Sequence, residues 1–103
     1  MSEERFTPAA TGDEIIRERA RARQWRQSAW WKRRISQGFC HYCRRQVGAR
    51  GLTMDHLIPL IRGGRSVRGN LVPACKDCNS KKQSCLPWEW DAYLQALGPD
   101  TGD

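Results

Sequence analysis

Apolar and polar positions alternate along the chain in a way that predicts helices at both ends and short strands between them. The segment TGDE at 11–14 fits a capping box, in which Thr and Glu satisfy the first amides of a helix. We therefore expect a helix at residues 12–36, ending before Gly38. Four apolar residues share one stripe of that helix and suit packing on a small core: Ile15, Ala22, Trp25 and Ala29.

The middle of the chain predicts two short strands followed by two helices. The strand-like pieces cover residues 51–55 and 70–73. The segment between them, IPLIRGGRSVRG, contains glycines and a proline that oppose a regular element. A helix should begin near Lys76, and a last amphipathic helix at 87–97 should stop at the Gly-Pro pair that follows it.

A chain of 103 residues has room for one domain. We place that domain at 12–98, with a flexible tail at 1–11 and a second tail at 99–103. A core of this size is thin and often needs a staple. No apolar stretch approaches the roughly 20 residues of a membrane span, and the acidic N-terminus does not fit a secretory signal. We expect a soluble cytoplasmic protein, bacterial or phage-encoded, whose thiols stay reduced.

Charge is divided unevenly along the chain. Residues 1–16 carry −3 and residues 83–103 carry −4, whereas residues 17–82 carry +14. Such a basic centre favours a polyanionic partner, with nucleic acid as the first interpretation and a merely soluble surface as the alternative. On the first helix, the candidates for contact with phosphates and sugar edges are Arg23, Arg26, Trp30 and Arg33. The alternative is a solvated helix whose tryptophans belong to the core.

Two C-x-x-C pairs, CHYC at 40–43 and CKDC at 75–78, supply four thiolates in a spacing suited to tetrahedral Zn²⁺. Four cysteines leave no open position, so we expect a structural ion. The alternative of redox-active pairs would need a thioredoxin-like pattern, which the sequence lacks. We expect Cys85 to be a free thiol and His41 to be a filler in the first knuckle.

The run LTMDHLIPLI at 52–61 places two ionisable residues, Asp55 and His56, inside an apolar segment. Burying a charge without a partner is unfavourable, so the two form a structural pair or bind something. Side chains alternate between the faces of a strand. The pair can therefore serve one site only if the strand ends or bends there. Asn70 at the second strand and Asn79 after the last cysteine should lie nearby.

The run CHYC…TMDHLIPLIRGG…NLVPACKDCNSKK resembles the HNH endonuclease family, in its zinc-stapled branch, over residues 38–83. The resemblance implies an α+β fold: a small ββα-metal (His-Me finger) core with a four-cysteine structural zinc. The basic helix at 12–36 and the helix at 87–97 would flank that core.

The resemblance also implies roles for four residues. His56 matches the general base, and a histidine with an ordinary pKa of about 6.5 is mostly neutral at pH 7. Asp55 matches a ligand of one catalytic divalent ion, Mg²⁺ or Mn²⁺. Asn70 matches the residue that braces the loop. Asn79 stands where many relatives have a histidine ligand, so a hard ion is favoured and direct binding by Asn79 is in question.

The implied activity is metal-dependent hydrolysis of double-stranded DNA, with low sequence specificity and nicking by a monomer or homodimer. Further candidates for contact with the DNA backbone are Arg62, Arg65, Lys81 and Lys82. The main rival is a non-catalytic zinc module that only binds nucleic acid. A zinc-held protein-interaction module would explain the tryptophans but leave the basic centre unexplained.

Overall fold

The computed structural model describes residues 10–97. The predicted tails lie outside these residues, except for Ala10 and Thr11, as does the predicted helix stop at 98–99. The elements follow one another as two helices, a two-stranded sheet and two further helices, with short 3₁₀ turns between them. Within the described part, no helix is both long and apolar enough to cross a membrane.

The N-terminal basic segment forms two helices, α1 (Gly12–Arg26) and α2 (Ala29–Ser36). The capping box at the start of α1 is present: the Thr11 hydroxyl accepts a 3.2 Å hydrogen bond from the Glu14 amide, and the Glu14 carboxylate accepts a 2.8 Å bond from the Thr11 amide. These two bonds satisfy backbone amides that have no partner inside the helix. The predicted start of the helix is confirmed.

The single helix expected at 12–36 is corrected to two because Ser28 interrupts it. The Ser28 hydroxyl donates to the Trp25 carbonyl at 2.6 Å and accepts from the Trp31 amide at 3.2 Å. It therefore caps α2 while holding the end of α1. The expected apolar stripe breaks at the same point: Ala22 is buried, but Ala29, at the start of α2, is exposed.

The central unit consists of two antiparallel strands and a helix. Strand β1 (Leu52–His56) pairs with β2 (Leu71–Cys75), in a register that joins Leu52 to Cys75 and His56 to Leu71. Helix α3 (Lys76–Lys82) begins directly after β2. Each strand begins one residue later in the chain than predicted.

The loop between the strands contains only two short 3₁₀ turns, Leu60–Arg62 and Arg68–Asn70, in agreement with the predicted irregularity. Its two adjacent positions, 63 and 64, require glycine for different structural reasons. Gly63 ends the first turn with φ +93°, a conformation that favours glycine. At Gly64 a Cβ atom would lie 1.7 Å from the Ile58 carbonyl oxygen, so no side chain fits.

The core includes three of the four knuckle cysteines, whereas Cys43 is exposed. Leu52, Ala74 and three of the cysteines form one buried cluster, and Ile35 and Tyr42 pack against it. Helix α4 (Pro87–Ala96) closes one side through Trp90, which is buried and contacts the Tyr42 ring with centroids 5.8 Å apart. A small apolar core therefore holds the cysteines and β1 in fixed relation.

Candidate active site and metal centre

The four cysteines of the two knuckles converge on one point. The Sγ atoms of Cys40, Cys43, Cys75 and Cys78 all lie within 4.8 Å of one another, and those of Cys43 and Cys75 are 3.9 Å apart. Four thiolates about 2.3 Å from a tetrahedral zinc ion lie about 3.8 Å from each other. The cluster is therefore positioned to bind a metal ion, and its all-sulfur donor set fits zinc.

Backbone amides and one arginine stabilise negative charge on the sulfurs. The amides of Tyr42 and Cys75 each donate to Cys40 Sγ at 3.3 Å, and Arg45 Nε donates to Cys43 Sγ at 3.5 Å. Burial alone would raise the pKa of Cys43, but the hydrogen bonds from Arg45 and the neighbouring thiols lower that pKa to about 6. Burial and the adjacent thiols raise the pKa of Cys78. A bound cation would allow all four to ionise together.

The far end of the strand pair carries the two ionisable residues of the apolar run. Strand β1 ends at His56, and at this point Asp55 and His56 line one cleft of about 320 Å³. Arg19 of α1 and Ser84 contribute to the same cleft. The strand therefore ends at the pair of ionisable residues, which is the condition under which both can serve one site.

Asp55 is held from two sides. The Tyr42 hydroxyl donates to Asp55 Oδ2 at 2.5 Å, and Lys82 Nζ lies 3.2 Å from the same oxygen. The Lys82 ammonium also donates to the carbonyls of His56 and Leu57, at 3.2 and 3.4 Å. Burial, and then the hydrogen bond to Asp55, raise the pKa of Tyr42, so its phenol stays protonated and donates.

His56 is fixed through its ring nitrogen Nε2, which lies 2.9 Å from the Ser66 hydroxyl. Burial lowers the pKa of His56 below its ordinary value, and the carboxylates of Asp55 and Glu18 oppose that effect. The imidazole is therefore kept neutral near pH 7, as a proton acceptor must be.

The two asparagines occupy different positions relative to this pair. Asn70 is buried: its side-chain oxygen accepts from the Ile58 amide at 2.8 Å, and its side-chain nitrogen donates to the carbonyls of Ile58 and Arg65. These bonds close the loop that follows His56. Asn79 of α3 donates to the Thr53 hydroxyl at 3.2 Å. Its side-chain oxygen makes no hydrogen bond within residues 10–97.

Comparison with protein families gives a match between residues 40–84 and the model described as HNH endonuclease. These residues form an HNH endonuclease family domain. The matched segment begins at the first cysteine of the cluster and includes both strands, the loop between them and α3. The comparison with curated proteins gave no match.

The HNH domain shows the predicted ββα-metal arrangement, with β1, β2 and α3 next to the four-cysteine cluster. A catalytic divalent ion would need oxygen ligands. Asp55 Oδ2 is already bonded to Tyr42 and Lys82, so this carboxylate would present its other oxygen, Oδ1. Asn79 contacts Thr53 and is not among the residues that line the cleft, so its share in binding a catalytic ion stays a prediction.

Two residues predicted to contact the DNA backbone are engaged elsewhere. The Lys82 side chain is completely buried, so the prediction of a phosphate contact is corrected to a partner of Asp55. Arg62 is partly exposed and binds both carboxylate oxygens of Glu89 at 3.1 Å, which joins the loop to α4. By contrast, Lys81 is exposed and pairs with Asp77 at 3.4 Å.

The other predicted contacts lie at or near the surface. Arg23, Arg26 and Arg33 are exposed, and Arg26 reaches the Met54 sulfur at 3.8 Å. Arg65 is exposed and pairs with Glu18 at 3.4 Å. Trp30 is half-buried beneath the guanidinium groups of Arg34 and Arg68, which lie 5.7 and 5.6 Å from its ring centroid. That these predicted residues bind nucleic acid stays a prediction.

Sequence reasoning did not assign a role to three residues around Asp55 and His56: Glu18, Tyr42 and Ser66. One signal was available for Glu18, because residues 17–82 contain only three acidic groups. All three make ion pairs in the structure: Glu18 with Arg21 and Arg65, Asp55 with Lys82, and Asp77 with Arg45 and Lys81. An acidic residue that is isolated in a basic segment was therefore a sign of an ion pair with a nearby Lys or Arg.

Proposed function

We propose that the protein is a metal-dependent DNA endonuclease that hydrolyses phosphodiester bonds, with His56 as the general base. The observation that carries the proposal is the pairing of a neutral, oriented histidine with a carboxylate in one cleft of an HNH domain. The family suggests a nuclease, and the cleft contains the two kinds of group that phosphodiester hydrolysis requires.

In the proposed reaction His56 removes a proton from the water molecule that attacks the phosphorus atom. A positioned general base contributes a factor of about 10²–10⁴ to such a step. The Ser66 contact holds the ring, and burial keeps it neutral so that it can accept the proton. By analogy with the family, the products carry 5′-phosphate and 3′-hydroxyl ends.

Asp55 and Asn79 would hold the catalytic ion, Mg²⁺ or Mn²⁺, through one oxygen each. Such an ion supplies Lewis-acid stabilisation of the charge that develops on the phosphate and on the leaving oxygen. The protein's own contribution is orientation: Tyr42 and Lys82 fix the Asp55 carboxylate from one side. Arg19, which lines the cleft, adds positive charge beside the bound phosphate.

Double-stranded DNA is the proposed substrate by analogy with the family, and exposed arginines supply the positive charge that a phosphate backbone attracts. Arg23 and Arg33 belong to the N-terminal helices, whereas Arg65 belongs to the loop next to the cleft. Contacts of this kind grip the phosphate backbone without reading bases. One cleft in one chain would cut one strand, so a monomer is expected to nick.

A non-catalytic nucleic-acid-binding module is the alternative function. It would use the same cysteines and arginines but would not need the buried network around Asp55 and His56. That network favours the enzyme, since burying a charged pair without a function is seldom the most stable arrangement.

A plasmid assay with the two histidines as a matched pair tests the proposal. Supercoiled plasmid is incubated with the protein, with His56→Ala or with His41→Ala, in Mg²⁺, Mn²⁺ or EDTA. His41 lies in the zinc knuckle with its ring 5.0 Å from that of Tyr42, outside the cleft. We expect the protein and His41→Ala to produce open circles with Mg²⁺ or Mn²⁺, and His56→Ala to be at least about 10²-fold slower.

DNA binding is measured in parallel by gel shift. Equal binding by all three proteins, with nicking by the first and the His41 variant only, supports the enzyme. Binding without open-circle formation under any ion would establish the non-catalytic alternative. An active His56→Ala would show that another group is the base.

A further inference from the structure

A buried serine connects the proposed general base to the first helix. Ser66 is 1% exposed, and its hydroxyl lies 2.9 Å from His56 Nε2 and 2.6 Å from the backbone carbonyl oxygen of Glu18. Glu18 belongs to α1 and lies 48 residues earlier in the chain. The contact therefore joins the HNH domain to a helix outside the matched residues.

The hydrogen bonds of this serine determine which nitrogen of His56 carries the proton. A backbone carbonyl can only accept, so the single hydroxyl proton of Ser66 is donated to Glu18. The Ser66 oxygen then accepts from His56, which makes Nε2 the protonated nitrogen of the neutral ring. Nδ1 carries the lone pair, and no hydrogen bond to Nδ1 occurs within residues 10–97.

The serine itself is held on all sides by α1. Its amide donates to Glu18 Oε1 at 2.6 Å, and its carbonyl accepts from Trp25 Nε1 at 2.8 Å. Glu18 is 6% exposed, and its other carboxylate oxygen pairs with Arg65 at 3.4 Å and with Arg21 at 3.8 Å. Because each polar group of Ser66 has a partner on α1, the hydroxyl has little freedom to turn.

We propose that Ser66, fixed by Glu18 of α1, is a positioning residue that sets the tautomer of His56 and makes Nδ1 the nitrogen that receives the proton. This inference rests on the proposed function for its catalytic meaning, although the tautomer itself is a property of the resting protein. It extends the active site beyond residues 40–84 to α1, which then orients the base through a single hydroxyl.

The competing interpretation gives Ser66 only the task of docking α1 on the loop. In that case removal of the hydroxyl would lower stability but leave the His56 proton where it is. The location of the ring proton and its exchange with solvent separate the two interpretations, because docking alone changes neither.

The experiment is nitrogen-15 NMR on zinc-loaded protein with labelled histidine, at about pH 8, where a histidine of ordinary pKa is neutral. The chain has only two histidines, so a His41→Gln sample assigns the spectrum. We expect a proton bound to His56 Nε2 that exchanges slowly with solvent because Ser66 accepts it. A proton on Nδ1, or an Nε2 proton that exchanges as fast as in an exposed histidine, would overturn the proposal.

Substitutions at two serines provide the matched comparison. Ser66→Ala should speed exchange of the Nε2 proton and raise the share of the other tautomer. Ser66→Thr, which retains the hydroxyl, should restore the original signal. Ser36→Ala changes an exposed serine at the end of α2, outside the cleft, whose hydroxyl also donates to a backbone carbonyl, and it should leave the His56 signal and its exchange rate unchanged. An unchanged exchange rate in a folded Ser66→Ala protein would reduce the serine to a docking role. If that variant does not fold, the wild-type spectrum decides.

Plasmid nicking separates this inference from the proposed function. We expect Ser66→Ala to lower kcat by about tenfold with an unchanged KM, since one neutral hydrogen bond shifts an equilibrium by up to about that factor. A correct tautomer in a protein that never nicks would refute the nuclease but leave the Ser66 arrangement intact. An active protein with its proton on Nδ1 would refute the positioning role alone.

Discussion

The neighbouring lysines at the end of α3 allow a sharp test of the buried network. The Lys82 side chain is 0% exposed and the Lys81 side chain 55% exposed, although both make one ion pair with an aspartate. Lys82→Met removes the ammonium but keeps an apolar side chain of similar length. Asp55, which is 8% exposed, then loses its charged partner, and the carbonyls of His56 and Leu57 lose a donor.

The expected loss in the free energy of unfolding follows from the burial of the Lys82–Asp55 pair. Breaking a buried ion pair by removing one partner lowers the free energy of unfolding by about 3–5 kcal/mol, because the remaining charge stays desolvated. An exposed pair contributes at most about 1 kcal/mol, so Lys81→Met should have a small effect. Total stabilities of single domains are about 5–15 kcal/mol. The Lys82 variant should therefore lose a large part of the stability, and the Lys81 variant almost none.

Urea unfolding at a fixed concentration of free zinc measures both variants, since zinc binding itself contributes to apparent stability. Adding Asp55→Asn to Lys82→Met removes the orphaned charge and should recover part of the loss, which a double-mutant cycle quantifies. Equal losses from Lys81→Met and Lys82→Met would refute the buried pair. A double variant no more stable than Lys82→Met would show that the lost stability came from packing and not from charge.

Three further predictions concern zinc, pH and DNA. Elemental analysis should find about one zinc per chain. The combined change of Cys75 and Cys78 to Ser should remove both the metal and the circular-dichroism signal of the folded protein. A variant that is folded without zinc would contradict the structural role of the metal. Burial lowers the pKa of His56 below its ordinary value of 6.5, so kcat/KM should fall as the pH is lowered, with its midpoint below pH 6.5. A midpoint at or above pH 6.5 would contradict the assignment. Arg33→Ala should weaken DNA binding and reduce the slope of log affinity against log salt concentration by about 0.9. Arg62→Ala, which breaks the pair with Glu89, should leave that slope unchanged. Equal slopes for the two variants would refute the distinction between them.

The metal centre and the paired residues could be predicted because their signals are local. A C-x-x-C pair places two sulfurs within one turn, and the closure of two such pairs needs only one tetrahedral ion. The adjacency of Asp55 and His56 in an apolar run was equally visible. The structure adds the reason why both side chains reach one cleft, namely that β1 ends at His56.

The network around His56 could not be predicted because it depends on contacts between distant parts of the chain. Glu18 and Ser66 are 48 residues apart, and no spacing rule relates them. Lys81 and Lys82 are adjacent and look identical in sequence. Only the rotation of α3 against β1 decides which of them is buried. The break at Ser28 was missed because a serine inside a basic, helix-favouring segment is a weak stop signal.

The strand pair connects the cysteine cluster to the cleft as a spacer of fixed length. Its register places Cys75 at one end and His56 at the other, four residues along β1 or about 14 Å at roughly 3.4 Å per residue. One inserted residue in β1 would exchange the faces of Asp55 and His56. Two inserted residues would preserve the faces but move the cleft away from the metal. Insertions within the strands should therefore be tolerated far less than a conservative substitution at the half-buried Met54. A designer who transplants this site must copy the strand length together with the residues.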